Sequence, residues 1–97
     1  SNKRLLGLFS DSGLEKVHNG RDVSTTQMAK LALENLGKDP DGFFVMIEES
    51  QVDWGGHSNS AEYIKGEMKS LNDLVNFVLD YQSEHPDVLV VLTADHE

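Results

Sequence analysis

Three short apolar runs are separated along the chain by two longer stretches in which apolar residues recur every three or four positions, as they do on one face of a helix. The runs occupy residues 5–9, 43–47 and 88–92 and contain no charged or hydrogen-bonding side chain. Continuous apolar segments of this length are typical of strands that are buried on both faces of a sheet. The pattern therefore predicts three buried strands.

The first intervening stretch carries signals for the start and the end of a helix. Ser24 and Gln27 form a capping-box pattern, in which each side chain bonds the backbone N–H of the other, so the helix should begin near Thr25. Gly37 should end this helix. An Asp-Pro-Asp-Gly turn at residues 39–42 then returns the chain to the second apolar run.

A second, longer helix is predicted from about residue 61 to residue 83, where apolar residues recur at intervals of three or four. Its predicted apolar face consists of Ile64, Met68, Leu71, Val75 and Val78. The resulting order of strand, helix, strand, helix, strand predicts an α/β fold. We expect a parallel sheet of about three strands with right-handed crossover helices.

Residues 1–97 are interpreted as a single unit, because they contain no internal repeat and no loop long enough to link two domains. A parallel sheet needs helices on both of its faces, and a chain of this length can barely supply them. We therefore expect this unit to be an internal fragment of a larger domain. Alone, such a fragment should self-associate or be poorly stable.

Acidic and histidine residues follow the second and the third apolar run. Glu48, Asp53 and His57 come after the second run, and Asp95 and His96 come after the third. Carboxylate and imidazole groups are ligands of zinc, carboxylates also bind magnesium, and α/β proteins build their sites at the ends of parallel strands. Carboxylates brought together at one sheet edge would repel each other unless cations bound them. The sequence thus predicts a metal site formed by these residues.

The local geometry of the Asp53 to His57 segment is open at this point. Residues four apart share one face of a helix, whereas Gly55 and Gly56 equally allow a tight loop that directs both side chains inward. An Asp-x-x-x-His spacing also arises often by chance. The joint placement of such residues after two apolar runs is what favours a metal site over a merely polar surface.

The amino-acid composition limits the kinds of partner that this chain should bind. The chain has 17 acidic and 8 basic residues and a formal net charge of -9, so it should repel nucleic-acid backbones and anionic membrane surfaces unless cations intervene. No stretch approaches the roughly 20 apolar residues of a membrane span. The absence of cysteine excludes disulfides and thiolate metal sites. We expect neither a nucleic acid nor a membrane among the partners.

Three segments together resemble the metal-binding segments of the alkaline phosphatase family in order and spacing. They are Gly-Phe-Phe-Val-Met-Ile-Glu at residues 42–48, Gln-Val-Asp-Trp-Gly-Gly-His at 51–57 and Leu-Thr-Ala-Asp-His-Glu at 92–97. Weaker similarity covers most of the remaining chain. The resemblance implies a partial alkaline-phosphatase-like core from an enzyme that hydrolyses phosphate monoesters through a phosphoserine intermediate.

The same resemblance assigns a role to each candidate residue. It implies that Asp53 and His57 bind the zinc ion that activates water, that Asp95 and His96 bind a second zinc ion, and that Glu48 binds magnesium. By analogy with bacterial relatives, the whole enzyme should be periplasmic or extracellular, and it should form a homodimer.

Parts of the family's site have no counterpart in this chain. The nucleophilic serine and an aspartate that helps to bind the second zinc and magnesium lie upstream of the matched region, and a further histidine for the first zinc lies downstream. The isolated chain should therefore be inactive. Within the match, Glu49 follows Glu48 where the family commonly has a glycine, which adds a charged side chain beside the expected magnesium ligand.

Two other interpretations are compatible with parts of this pattern. Cofactor-independent phosphoglycerate mutases share an Asp-x-x-x-His segment and a Thr-Ala-Asp-His segment. Glu48 argues against a mutase, because it stands five residues before Asp53, where phosphatases carry their magnesium carboxylate. Alternatively, the 97 residues could be a non-catalytic metal-binding or structural fragment.

Overall fold

A computed structural model describes residues 3–97 and contains helices but no strand within that range. The elements are a 3-10 helix at Val17–Asn19 and the α-helices α1 (Thr25–Leu36), α2 (Gln51–His57) and α3 (Ala61–Glu84). Helix α3 contacts the 3-10 helix, α1 and α2, so it is the central element of the structure. None of the described helices has the length and apolarity needed to cross a membrane.

The predicted parallel sheet is wrong for the described residues. The three apolar runs are not assigned to strands. The first run is exposed throughout, and the second and third show alternating exposure: Phe44 and Leu89 are 88% and 85% exposed, whereas Phe43 and Val88 are half-buried. A strand exists only when its backbone pairs with a neighbour, and a parallel sheet is covered on both faces. The first run is open to solvent, and the second and third have half-buried residues on one side only, so the conditions for a sheet are not met within residues 3–97.

Both predicted helices are confirmed. Helix α1 begins at Thr25 with the expected capping box, in which Gln27 N donates to Ser24 Oγ at 3.1 Å and Ser24 N donates to Gln27 Oε1 at 2.8 Å. Gly37 caps its C-terminal end. Helix α3 begins one residue after Ser60, whose hydroxyl accepts a hydrogen bond from the Tyr63 backbone N–H at 3.2 Å.

The buried face of α3 is displaced by one residue from the predicted apolar face. Its fully buried residues are Tyr63, Glu67, Ser70 and Leu74, which share one side of the helix. Met68, from the predicted face, is 45% exposed. Three of the four buried residues carry a hydrogen-bonding group, so hydrogen bonds as well as apolar contacts determine how α3 packs.

Glu67 is the most buried of these residues, with no exposed surface. Its carboxylate accepts hydrogen bonds from Arg21 Nη2 and from the Val17 backbone N–H, the latter at 3.2 Å. Arg21 in turn donates through Nε to the Glu15 carbonyl oxygen at 2.6 Å. These bonds attach the loop between the first apolar run and α1 to the centre of α3.

We predict that Glu67→Ala will destabilise this packing strongly. The substitution leaves the guanidinium of Arg21, whose side chain is 5% exposed, without its carboxylate, and breaking a buried ion pair typically costs about 3–5 kcal/mol. The measurement is urea unfolding of the chain followed by far-UV circular dichroism. Glu34→Ala, on the exposed face of α1, is the matched control and should have little effect. Equal stability of the two variants would contradict the structural role of the ion pair.

A second prediction concerns the exposed side of the apolar runs. Large apolar side chains such as Leu6, Phe44 and Leu89 are more than four-fifths exposed, and continuous apolar surface promotes association. Light scattering after size exclusion should therefore show a mass that rises with concentration above the 10.8 kDa of the monomer. Phe44→Glu and Leu89→Glu should reduce this rise. A well-folded chain that stays monomeric at all concentrations would refute the prediction.

Candidate metal centre

Helix α2 places Asp53 and His57 on the same face, so the helical alternative for this segment is the one adopted. Asp53 Oδ2 lies 3.3 Å from His57 Nε2. The two residues are one helical turn apart, so the contact between them lies within α2. Its geometry follows directly from the four-residue spacing in the sequence.

The C-terminal segment brings a second acid and histidine pair to the same place. His96 Nε2 lies 3.8 Å from Asp53 Oδ1 and 3.8 Å from Asp95 Oδ2. The two oxygens of the Asp53 carboxylate therefore face different imidazoles, that of His57 on one side and that of His96 on the other. All four side chains are at least two-fifths exposed, so the cluster is open to solvent.

Glu48, the fifth predicted residue, lies in different surroundings. It lines a small cavity of about 110 Å³ together with Arg21, Glu49 and Trp54. The indole of Trp54 also packs against Gly13, where a Cβ atom would come within 2.6 Å of the ring. Glu48 is thus near the start of α2 but outside the contacts that join the other four residues.

The carboxylate and imidazole groups of this cluster are suitable zinc ligands, but each acid and histidine pair provides fewer ligands than a zinc ion needs. Within residues 3–97, no group of three or more histidine, cysteine, aspartate or glutamate side chains is arranged to hold a metal ion by itself. Catalytic zinc usually has three protein ligands and an open position, whereas each acid and histidine pair here offers two. The metal-binding role of Glu48, Asp53, His57, Asp95 and His96 stays a prediction.

Helix α2 has only seven residues and gains its position from α3. Gly55 packs so closely that a Cβ atom on it would lie 2.9 Å from Ile64 Cγ1 and 3.1 Å from the Ile64 backbone nitrogen. Gln51, the first residue of α2, is 6% exposed and accepts a hydrogen bond from the Tyr63 hydroxyl at 2.7 Å. The segment that carries Asp53 and His57 is therefore fixed at both of its ends.

Three residues that hold this segment and the residues before it lie outside the predicted site. Gln51, Tyr63 and Ser70 were not predicted to take part in the site, because each is an ordinary polar or aromatic residue when considered alone. The signal that could have identified them is the spacing of Tyr63, Glu67 and Ser70, which places three hydrogen-bonding side chains on one face of a long helix.

The electrostatic surroundings of His96 favour its protonated form. The Glu97 backbone oxygen lies 2.9 Å from His96 Nδ1, and it raises the pKa of the imidazole above its ordinary value, with further contributions from the carboxylates of Asp95 and Asp53. A zinc ligand must be a neutral imidazole, so protons compete with metal for His96. Metal affinity at this residue should therefore fall as the pH falls through the raised pKa.

The amino-acid sequence of this chain is similar to those of known proteins. The alkaline phosphatase family matches over residues 1–97. Alkaline phosphatase 3 of Bacillus subtilis is 40% identical over 95 residues, and alkaline phosphatase 4 of the same organism is 32% identical over 96 residues; each match covers at least 96% of this chain. The tissue-nonspecific alkaline phosphatase isozyme of Homo sapiens is 32% identical over 95 residues, which is 95% of this chain.

The chain belongs to the alkaline phosphatase family. It spans about a fifth of the length of the curated relatives it matches: 21% of the two bacterial proteins and 18% of the human one. The comparison with solved structures found no match.

We predict that the raised pKa of His96 depends on its two carboxylate neighbours as well as on Glu97. In the metal-free chain, an NMR titration of the imidazole C–H signals should show His96 losing its proton at a higher pH than an unperturbed histidine. Asp53→Asn and Asp95→Asn should each lower the pKa of His96, because each removes a negative charge that favours the protonated ring. Asp39→Asn, in the distant turn, is the control. An unchanged His96 titration in both site variants would contradict the observed contacts.

Proposed function

We propose that the whole protein to which this chain belongs is a metal-dependent phosphatase that hydrolyses phosphate monoesters, with its serine nucleophile outside these residues. The observation that carries the proposal is the convergence of Asp53, His57 and His96, with Asp95 beside them, in a chain of the alkaline phosphatase family. Because this chain spans about a fifth of its relatives, the remaining parts of such a site belong to other segments of the protein.

In this proposal Asp53 and His57 hold one zinc ion, Asp95 and His96 hold a second, and Glu48 holds magnesium. Bound zinc would act as a Lewis acid and would favour the ionised form of an attacking oxygen. The chain's own contribution is orientation: Asp53 lies between two imidazoles and offers a different carboxylate oxygen to each.

The negative charge of the cluster and of the whole chain explains why the proposed activity needs bound cations. The cluster presents two carboxylates, and the chain carries a net charge of -9, so the metal-free surface would repel a phosphate ester. Two divalent ions reverse the sign of the local potential and attract the same ester. The high exposure of His57 and Asp95, at 79% and 89% of their side chains, leaves room for a substrate to approach.

The proposal predicts a sharp contrast between the isolated chain and the full-length protein. With zinc and magnesium supplied, the 97-residue chain should release p-nitrophenol from p-nitrophenyl phosphate no faster than the metals alone, since each zinc would have two ligands and the proposed serine nucleophile lies outside this chain. The full-length protein should turn over this substrate. Turnover by the isolated chain above the metal-only rate would refute the proposal that other segments of the protein supply part of the site.

A further prediction concerns single residues of the full-length protein. Asp53→Ala and His96→Ala should each lower kcat/KM by a factor on the order of 100 or more, because each removes a ligand to an ion that stabilises charge in the transition state. His85→Ala is the matched control: this exposed histidine stacks on Tyr81 at the far end of α3, and its loss should leave turnover unchanged. Undiminished turnover by the Asp53 and His96 variants would overturn the proposed function.

A further inference from the structure

The polar side chains on the buried face of α3 contact the segment that lies between two of the predicted metal ligands. Glu48 and Asp53 are separated by residues 49–52, and this stretch includes the start of α2. Tyr63 and Ser70 each donate a hydrogen bond into it, and both are more than nine-tenths buried. The contacts are thus made at the base of the candidate site, on the side away from solvent.

The Tyr63 contact anchors the first residue of α2. The Tyr63 hydroxyl donates to Gln51 Oε1 at 2.7 Å, and Gln51 Nε2 donates to the Leu14 carbonyl oxygen at 2.8 Å. Ser50, the residue that precedes α2, makes no side-chain capping bond. Because a helix of seven residues has little stability of its own, the start of α2 depends on these contacts with the rest of the chain.

The Ser70 contact explains how the chain accommodates Glu49. The Ser70 hydroxyl donates to Glu49 Oε1 at 2.8 Å, and Ser70 is 8% exposed. This bond gives the carboxylate of Glu49, the residue next to Glu48, a partner on α3. A charged group held in this way fixes the backbone on which Glu48 lies.

We propose that Tyr63 and Ser70 are positioning residues, which set the placement of Glu48 relative to Asp53 through Gln51 and Glu49. The inference rests on the proposed function, since it concerns residues assigned there to metal binding. Outer partners that orient a metal ligand typically contribute a factor of about 10–100 to metal affinity. Loss of either hydroxyl should therefore weaken metal binding without removing a ligand.

The test uses the full-length protein with three variants: Tyr63→Phe, Ser70→Ala and Glu49→Gly. Zinc and magnesium affinities are measured by equilibrium dialysis and elemental analysis, kcat and KM with p-nitrophenyl phosphate, and Tm by circular dichroism. Tyr63→Phe and Ser70→Ala should each weaken magnesium or zinc binding about tenfold and lower kcat more than KM. Ser83→Ala is the matched control, because its hydroxyl bonds only the Asp80 carbonyl oxygen near the end of the same helix.

A double variant separates positioning from general destabilisation. If Ser70 acts through Glu49, then Ser70→Ala should cause no further loss of metal affinity in the Glu49→Gly background, because the group that it holds is gone. Parent-like metal affinity in both Tyr63→Phe and Ser70→Ala would overturn the proposal. An equally large effect of Ser70→Ala in the Glu49→Gly background would also overturn it. So would a loss of metal affinity in the Ser83→Ala control as large as that in Ser70→Ala.

The Asp53→Ala variant distinguishes a failure of the positioning role from a failure of the proposed function. If Asp53→Ala loses metal and turnover while Tyr63→Phe and Ser70→Ala do not, the positioning role is wrong and the proposed function stands. If Asp53→Ala keeps both, the proposed function fails, and the positioning role fails with it.

Discussion

A carboxylate that is fully removed from water needs charged or hydrogen-bonding partners. Glu67 finds both of its partners in the loop between the first apolar run and α1. Arg21 donates to its Oε1 atom, and the Val17 backbone N–H donates to its Oε2 atom. The orientation of α3 is thereby fixed, because the residues that share its face with Glu67 must point the same way. Tyr63 and Ser70 are carried toward the start of α2, and Leu74 remains inside the apolar core.

The candidate site depends on this orientation. Helix α2 is too short to be stable alone, yet it holds Asp53 and His57 in contact on one face. Close packing at Gly55 and the hydrogen bond from Tyr63 to Gln51 fix it against α3. The polar buried face of α3 thus supports an exposed cluster of acids and histidines, and the two are connected through a segment of only a few residues.

Sequence reasoning succeeded where the determinants are local. The start of α1 follows from Ser24 and Gln27, and the contact of Asp53 with His57 follows from their spacing on a helix. It failed for the sheet, because strand pairing depends on partners that residues 3–97 do not supply to the apolar runs. It also placed the buried face of α3 one residue away from Glu67, since apolar spacing cannot show which polar residues find buried partners. His96 does approach Asp53, but through the path of the C-terminal segment rather than across a sheet edge.

We propose that Asp53, His57, Asp95 and His96 are zinc ligands in the full-length protein, and locating zinc directly tests this assignment. Diffraction data collected at the zinc absorption edge from crystals of the metal-loaded full-length protein give the ion positions without reference to activity. We expect one anomalous peak at roughly 2.0–2.2 Å from ligand atoms of Asp53 and His57, and a second at this distance from ligand atoms of Asp95 and His96. Zinc peaks elsewhere, with these four side chains free of metal, would contradict it.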